Sequence, residues 1–214
     1  MNILIAVPSM DSVPAVFAQS LAMLEKVGDC AIAFQVGSLV YTSRNDLALK
    51  AIRMGADFVL WLDSDMLFEP DTLKKLMKTL MDNNLDMVSG IYYRRIAPYT
   101  PVLLKKLEIN ESGKCESEGF KETPVNLFEV EGCGFGCVLM KSKVLFDVIA
   151  HYQDAFTPME TVGEDLAFCI RARNLGYKIY ADPGVSLGHC SHQIITKKFY
   201  EAFIQASKER KNDE

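Results

Sequence analysis

The sequence predicts an α/β domain with a mostly parallel central sheet flanked by helices, the sheet becoming mixed in the C-terminal half. Three observations carry this. Short apolar runs rich in β-branched and aromatic residues, at 2–7 and 58–62, read as strands buried on both faces. Such runs alternate with amphipathic helical stretches as far as residue 91, the pattern of right-handed βαβ units. The run at 58–62 then ends in Asp63-Ser64-Asp65. Burying an unpaired carboxylate costs on the order of several kcal/mol, so both acids must stand where the strand emerges. In open α/β sheets that edge is where ligands sit.

The elements follow in order. Residues 2–7 form a first strand, broken by Pro8-Ser9. Ser12 can cap the next helix and Pro14 suits its first turn, with Val16, Phe17, Leu21 and Leu24 at helical spacing and Gly28 as its end. A strand over 30–36 and a helix over 40–54, stopped by Gly55, lead to the strand at 57–62. Pro70-Asp71 opens a helix to about residue 81, and 86–91 is a fourth strand.

Beyond Tyr92 the alternation stops. Strands are expected at 102–107, 125–130 and 137–140, with a polar excursion over 108–123 and a glycine-rich turn at 131–136. Ser142 is expected to cap a helix to about residue 150. Residues 151–162 carry no pattern and read as a mobile loop. A helix over 164–174 ends at Gly176, a strand covers 177–180, and a last helix spans 196–208. No repeat, linker or low-complexity tract interrupts 1–208, which reads as one domain, with 209–214 a frayed tail.

Composition narrows the function classes. Hydrophobic residues make up 49% of 214, enough for a full core. The net charge is −5 with no basic patch, which argues against a nucleic-acid partner. No apolar run approaches the ~20 residues of a membrane span. Met1-Asn2 lacks the basic start of a signal peptide, and the six cysteines show no Cys-x-x-Cys spacing. A cytoplasmic protein with reduced thiols is the expectation.

Three constellations carry chemistry. Asp63 and Asp65 repel each other unless a cation or hydrogen-bond donors neutralise them. Either they hold a divalent metal carrying a phosphorylated substrate, or they bond backbone amides in a turn. Glu164-Asp165 heads a helix, where acids suit the helix dipole or could supply a general base. His189 follows the small residues Ser186 and Gly188 and could complete a metal shell, with His192 as rival; His151 has no such context.

The order Val7-Pro8-Ser9, Asp63-Ser64-Asp65, Gly134-Phe135-Gly136, Glu164-Asp165, His189 resembles the GT-A class of nucleotide-sugar glycosyltransferases, most closely small family 2 enzymes, over about residues 2–192. The resemblance implies a Rossmann-like (GT-A) sheet, a nucleotide-binding half at 1–91 and an acceptor and metal half at 92–194. It implies a UDP- or GDP-linked sugar donor, Mn²⁺ or Mg²⁺, and a glycan, lipid, protein or small-molecule acceptor. Pro8 and Ser9 would lie beneath the nucleotide, with Arg44 and Asn45 facing it. Asp63 would face the ribose or a metal-bound water, with Ser64 beside it, while Asp65 and His189 would hold the metal. The turn at Gly134 would let backbone approach a sugar. Asp165, with Glu164 as close rival, would be the base of an inverting transfer.

Where the resemblance stops is informative too. The Gln-x-x-Arg-Trp element of processive members is absent after Glu164-Asp165, so a polymer synthase is disfavoured. A sugar-phosphate nucleotidyltransferase would want a basic residue in the loop 8–14, which has none. A non-catalytic nucleotide-sugar-binding module is the third reading, against which the intact acidic pairs argue.

Overall fold

The computed structural model describes residues 1–37, 39–159, 161–191 and 197. Apart from Lys197, the helix expected over 196–208, the tail 209–214 and His192 lie outside the described residues. In chain order the elements are β1 (Asn2–Ser9), α1 (Ala15–Met23), β2 (Asp29–Val36), α2 (Val40–Arg53), β3 (Phe58–Leu62), β4 (Met66–Leu67) and α3 (Thr72–Asp82). There follow β5 (Met87–Ile91), β6 (Leu103–Ile109), β7 (Cys115–Gly119), β8 (Phe128–Val130), β9 (Gly132–Cys133) and β10 (Cys137–Lys141). The chain continues through α4 (Ser142–Tyr152), α5 (Glu164–Asn174), β11 (Ile179–Ser186) and β12 (Gly188–His189).

The main sheet has the order β2-β1-β3-β10-β5-β11-β8. Pairs β1–β2, β1–β3 and β5–β11 are parallel, as the βαβ alternation requires. Strand β10 enters antiparallel between β3 and β5, and β8 pairs antiparallel with β11. The sheet is therefore parallel at its N-terminal edge and mixed beyond it. Two small sheets sit alongside, β7-β6-β9 and β12-β4.

The period-2 alternation of buried strands builds a core on each face. Ile3, Ile5, Val7, Leu60 and Leu62 face α1 and α3, where Leu73, Leu76, Met77 and Leu80 form a helical stripe. Leu4, Ala6, Val59, Trp61 and Val138 face α2, α4 and α5. Gly55 and Gly176 end α2 and α5 with φ of 64° and 89°. At each end the next amide reaches five residues back, Ala56 to Ala51 and Tyr177 to Ala172, both at 3.1 Å, closing the helix as a left-handed glycine allows.

Several expectations change. Ser12 and Ser142 make no capping bond: Pro14 and Lys141 occupy the N-cap positions. The strand expected over 125–130 shrinks to three residues, and Val125 is exposed. The strand expected over 177–180 runs on to Ser186 through an irregularity between Asp182 and Ser186, which absorbs Pro183. Residues 154–157 and Val162 are tied into the structure rather than loose. Ala155, Phe156 and Val162 are buried, Phe156 stacks on Phe168 with centroids 4.7 Å apart, and Arg171 Nη1 donates to Ala155 O at 3.0 Å.

All six cysteines are free. Burial pushes the Cys137 thiol up to about 12, so it stays protonated and offers no thiolate to a metal. Among the described residues no helix is long and apolar enough to cross a membrane.

Candidate active site

The carboxyl ends of β1 and β3 open into a cleft of about 460 Å³, lined by Pro8, Ser9, Arg44, Asp63, Ser64, Asp65, Arg95 and Glu164 among others. Its size suits a small-molecule ligand. The acidic pair stands in a tight turn, Met66 N donating to Asp63 O at 3.2 Å, and Asp63 N is satisfied by Gly136 O of the neighbouring turn at 3.2 Å. Among the described residues neither side-chain carboxylate bonds a backbone amide. Both face cations instead.

Arg44 answers Asp63. It occupies a buried-stripe position of α2, in register with Leu47, Ala48 and Ala51, and is 2% exposed. Its Nη2 donates to Asp63 Oδ1 at 2.7 Å and its Nε faces Glu164 Oε1 at 3.4 Å. The guanidinium lies 5.4 Å from the Phe135 ring and 5.9 Å from those of Trp61 and Phe156. Among the described residues the buried Nη1 has no hydrogen-bond partner, and the π faces of this aromatic cage favour the cation. Burial opposes the charge, but Asp63, Glu164 and Asp165 outweigh it and hold the pKa above its ordinary value. One buried cation thus ties β3 to the start of α5.

Asp65 meets a second group. Strands β4 and β12 pair antiparallel, Met66 opposite His189, which brings His189 to the acidic turn. Its Nε2 lies 3.4 Å from Asp65 Oδ2, and Arg95 Nη1 lies 3.0 Å from the same oxygen. His189 Nδ1 sits 2.8 Å from Tyr93 O. A carbonyl only accepts, so Nδ1 donates to Tyr93 O, and Nε2 is the ring nitrogen that turns toward Asp65. A carboxylate and an imidazole nitrogen converging in this way are ligand types that suit a divalent ion. Among the described residues no group of three or more His, Cys, Asp or Glu side chains gathers as a metal site. Two protein ligands leave room for phosphate oxygens and water.

Asp165 lies behind Glu164. Burial, with Glu164 beside it, raises its carboxyl to about 6, against a bond from Leu166 N at 2.7 Å and the Arg44 charge, which lower it. A carboxylate with a pKa near 6 is ionised at neutral pH yet basic enough to take a proton.

Two expected site residues have other tasks here. Asn45 holds the 154–157 segment, its Oδ1 accepting from Phe156 N at 2.8 Å and its Nδ2 facing Thr157 Oγ1 at 3.4 Å. Gly134 is buried beneath Tyr92 and does not line the cleft; a Cβ there would meet the Tyr92 hydroxyl at 2.1 Å. His151 is exposed on α4. Gly134→Ala should therefore cost about 1–3 kcal/mol by overpacking, read in urea denaturation. Adding Tyr92→Phe should recover part of that loss, because the two sites share one contact. The aromatic cage of Arg44 is the functional surrounding that sequence reasoning missed. Tyr92-Tyr93-Arg94-Arg95 reads in sequence as an aromatic and basic strand end, either solvated or facing acceptor or phosphate. In the structure the buried Tyr92 hydroxyl accepts from Gly136 N at 3.1 Å, while Arg95 meets Asp65.

Comparison with known proteins agrees with this geometry. The model of glycosyl transferase family 2 matches residues 48–146, which include the acidic turn but stop short of Glu164, Asp165 and His189. No curated protein matches in sequence. Among solved structures, A197 from STIV is similar with a TM-score of 0.68 at 22% identity, covering 90% of this chain and 87% of that one. GalNAc-T7, solved with UDP, GalNAc and Mn²⁺, is similar with a TM-score of 0.61 at 9% identity, covering 90% of this chain and 44% of that one. The chain thus spans less than half of GalNAc-T7. With this partial family match laid over this sheet, cleft and acidic turn, residues 48–146 resemble glycosyl transferase family 2, and the chain has a GT-A-type α/β fold similar to that of both structures.

Proposed function

We propose that the protein moves a sugar from a UDP- or GDP-linked donor to an acceptor hydroxyl with inversion, using Mn²⁺ or Mg²⁺. The observation that carries the reading is the approach of His189 Nε2 to Oδ2 of Asp65, which lines a cleft that Glu164 also lines. A divalent ion held by these two side chains would neutralise charge growing on the departing nucleoside diphosphate.

The chain's own residues do the rest. Pro8 and Ser9, at the end of β1, form the floor for the nucleotide. Asp63, with Oδ1 held by Arg44, presents its carboxylate to the ribose or to a metal-bound water. Asp165 takes the proton from the acceptor hydroxyl as its oxygen attacks the anomeric carbon. Glu164 stays paired with Arg44 and keeps that cation next to Asp63.

Thermal shift with UDP and GDP, with and without Mn²⁺, tests this. Nucleotide with Mn²⁺ should raise the melting temperature, EDTA should remove the rise, and Asp65→Ala and His189→Ala should each lose it. A ligand at 100 times its Kd adds about 2.7 kcal/mol, well within detection. No metal-dependent shift with either nucleotide would overturn the metal reading.

A further inference from the structure

The Asp65 carboxylate is already paired with a cation from its own chain. Arg95 Nη1 stands 3.0 Å from Oδ2, the same oxygen that His189 Nε2 approaches. The two partners differ in exposure: Asp65 is 28% exposed and Arg95 is 51%. Arg95 sits on a loop closed at its base by the Tyr93–Pro101 bridge and by Arg94 N to Thr100 O at 3.0 Å. The same loop supplies Tyr93 O, which orients His189. Arg95 also lines the cleft.

A guanidinium does not deprotonate in a protein, so it cannot yield Asp65 to another cation by losing its charge. It has to move. Its planar fork matches phosphate oxygens in pairs, and phosphates are what the donor brings.

We propose that Arg95 is a resident counter-ion for Asp65, handed over to the donor's phosphates when a divalent ion takes the carboxylate; this rests on the metal-dependent reading above. In the free protein the guanidinium neutralises Asp65 beside His189 Nε2. An ion arriving alone must displace Arg95 into water. An ion arriving with a nucleoside diphosphate gives Arg95 a new partner. Cation and nucleotide therefore bind with positive coupling, and the coupling runs through Arg95.

The test compares wild type, Arg95→Gln and Arg94→Gln, the last as control for removing one exposed positive charge from the same loop. Mn²⁺ binding is followed by electron paramagnetic resonance of the free ion. UDP and GDP binding is followed by calorimetry at saturating Mn²⁺. Without nucleotide, Arg95→Gln should bind Mn²⁺ about threefold more tightly, the scale of one part-exposed ion pair. With Mn²⁺ saturating, it should bind the nucleotide about tenfold more weakly, the scale of a lost charge-assisted hydrogen bond. Arg94→Gln should move neither by more than about 1.5-fold, its charge being screened by solvent. Unchanged or weaker Mn²⁺ binding by Arg95→Gln, an effect equalled by Arg94→Gln, or unaltered nucleotide affinity overturns the proposal and leaves the metal reading standing. Failure of wild type and Arg95→Gln alike to bind Mn²⁺, with or without nucleotide, overturns both.

Discussion

Asp165→Asn is expected to slow sugar transfer, or donor hydrolysis in its place, by about 10²–10⁴-fold, the usual contribution of a positioned general base. The same variant should be more stable than the wild type at neutral pH. The Asp165 carboxyl is raised to about 6 by burial and by Glu164, so the folded protein holds this proton more tightly than the unfolded chain does. A raised acid pKa means that stability falls as pH rises from the unfolded value near 4 to the folded value near 6. The wild type therefore loses stability across that window, by at most about 3 kcal/mol at about 1.4 kcal/mol per pKa unit. Asn carries no such cost. The difference in melting temperature between variant and wild type should be smallest near pH 4, grow toward pH 6 and level off above it. Activity should run the other way, with the wild-type rate climbing through a midpoint near pH 6 to a plateau. Full activity in Asp165→Asn alongside its loss in Glu164→Gln would move the base to Glu164.

Arg44→Ala should be the most damaging single change to the fold. It removes a cation that is 2% exposed, leaves Asp63 and Glu164 facing each other without it, and empties the centre of the Trp61, Phe135 and Phe156 cage. Stripping one partner from a buried ion pair costs about 3–5 kcal/mol, a large share of the ~5–15 kcal/mol that holds a domain folded. Urea denaturation would show it as a fall in midpoint at similar slope. Arg44→Lys should recover only part, since one ammonium cannot present Nη2 to Asp63 and Nε to Glu164 together. Arg44→Met separates the causes: it refills volume without charge, so any loss that persists is electrostatic. A cost below about 1 kcal/mol for Arg44→Ala would mean that Asp63 and Glu164 find other partners.

Much of the fold was legible because its signals are periodic. The strands at β1 and β3 hold continuous apolar runs, and the stripe Leu73, Leu76, Met77, Leu80 announces α3. The pairing of β4 with β12 was not legible, because two-residue strands have no period to read. Nor was the packing of Phe156, which is held by contacts with Asn45, Trp61 and Phe168 that come from three separate elements. The acidic turn and Glu164-Asp165 were visible as types of residue at the ends of elements. What each faces was not. Arg44 did leave a trace: a charged residue in register with Leu47, Ala48 and Ala51 must be buried, and a buried arginine needs carboxylates. Gly134-Phe135-Gly136 shows the converse. Glycines beside a site suggested room for a ligand, and the room is filled by the Tyr92 ring.

Strand β10 bears on how the chain comes off the ribosome. β3 and β5 are close in sequence but never touch as neighbours, since β10 lies between them with antiparallel ladders to both. Once residue 91 has emerged, β1, β2 and β3 can pair, yet β3 still presents an open edge and β5 has no partner. Both wait for residues 137–141, and β5 waits again for β11. An apolar strand edge left open during synthesis is a template for pairing with a neighbouring chain. The nascent N-terminal half is thus the stage at which this protein is most exposed to self-association and most dependent on chaperones, and completion of β10 is the event that ends that exposure.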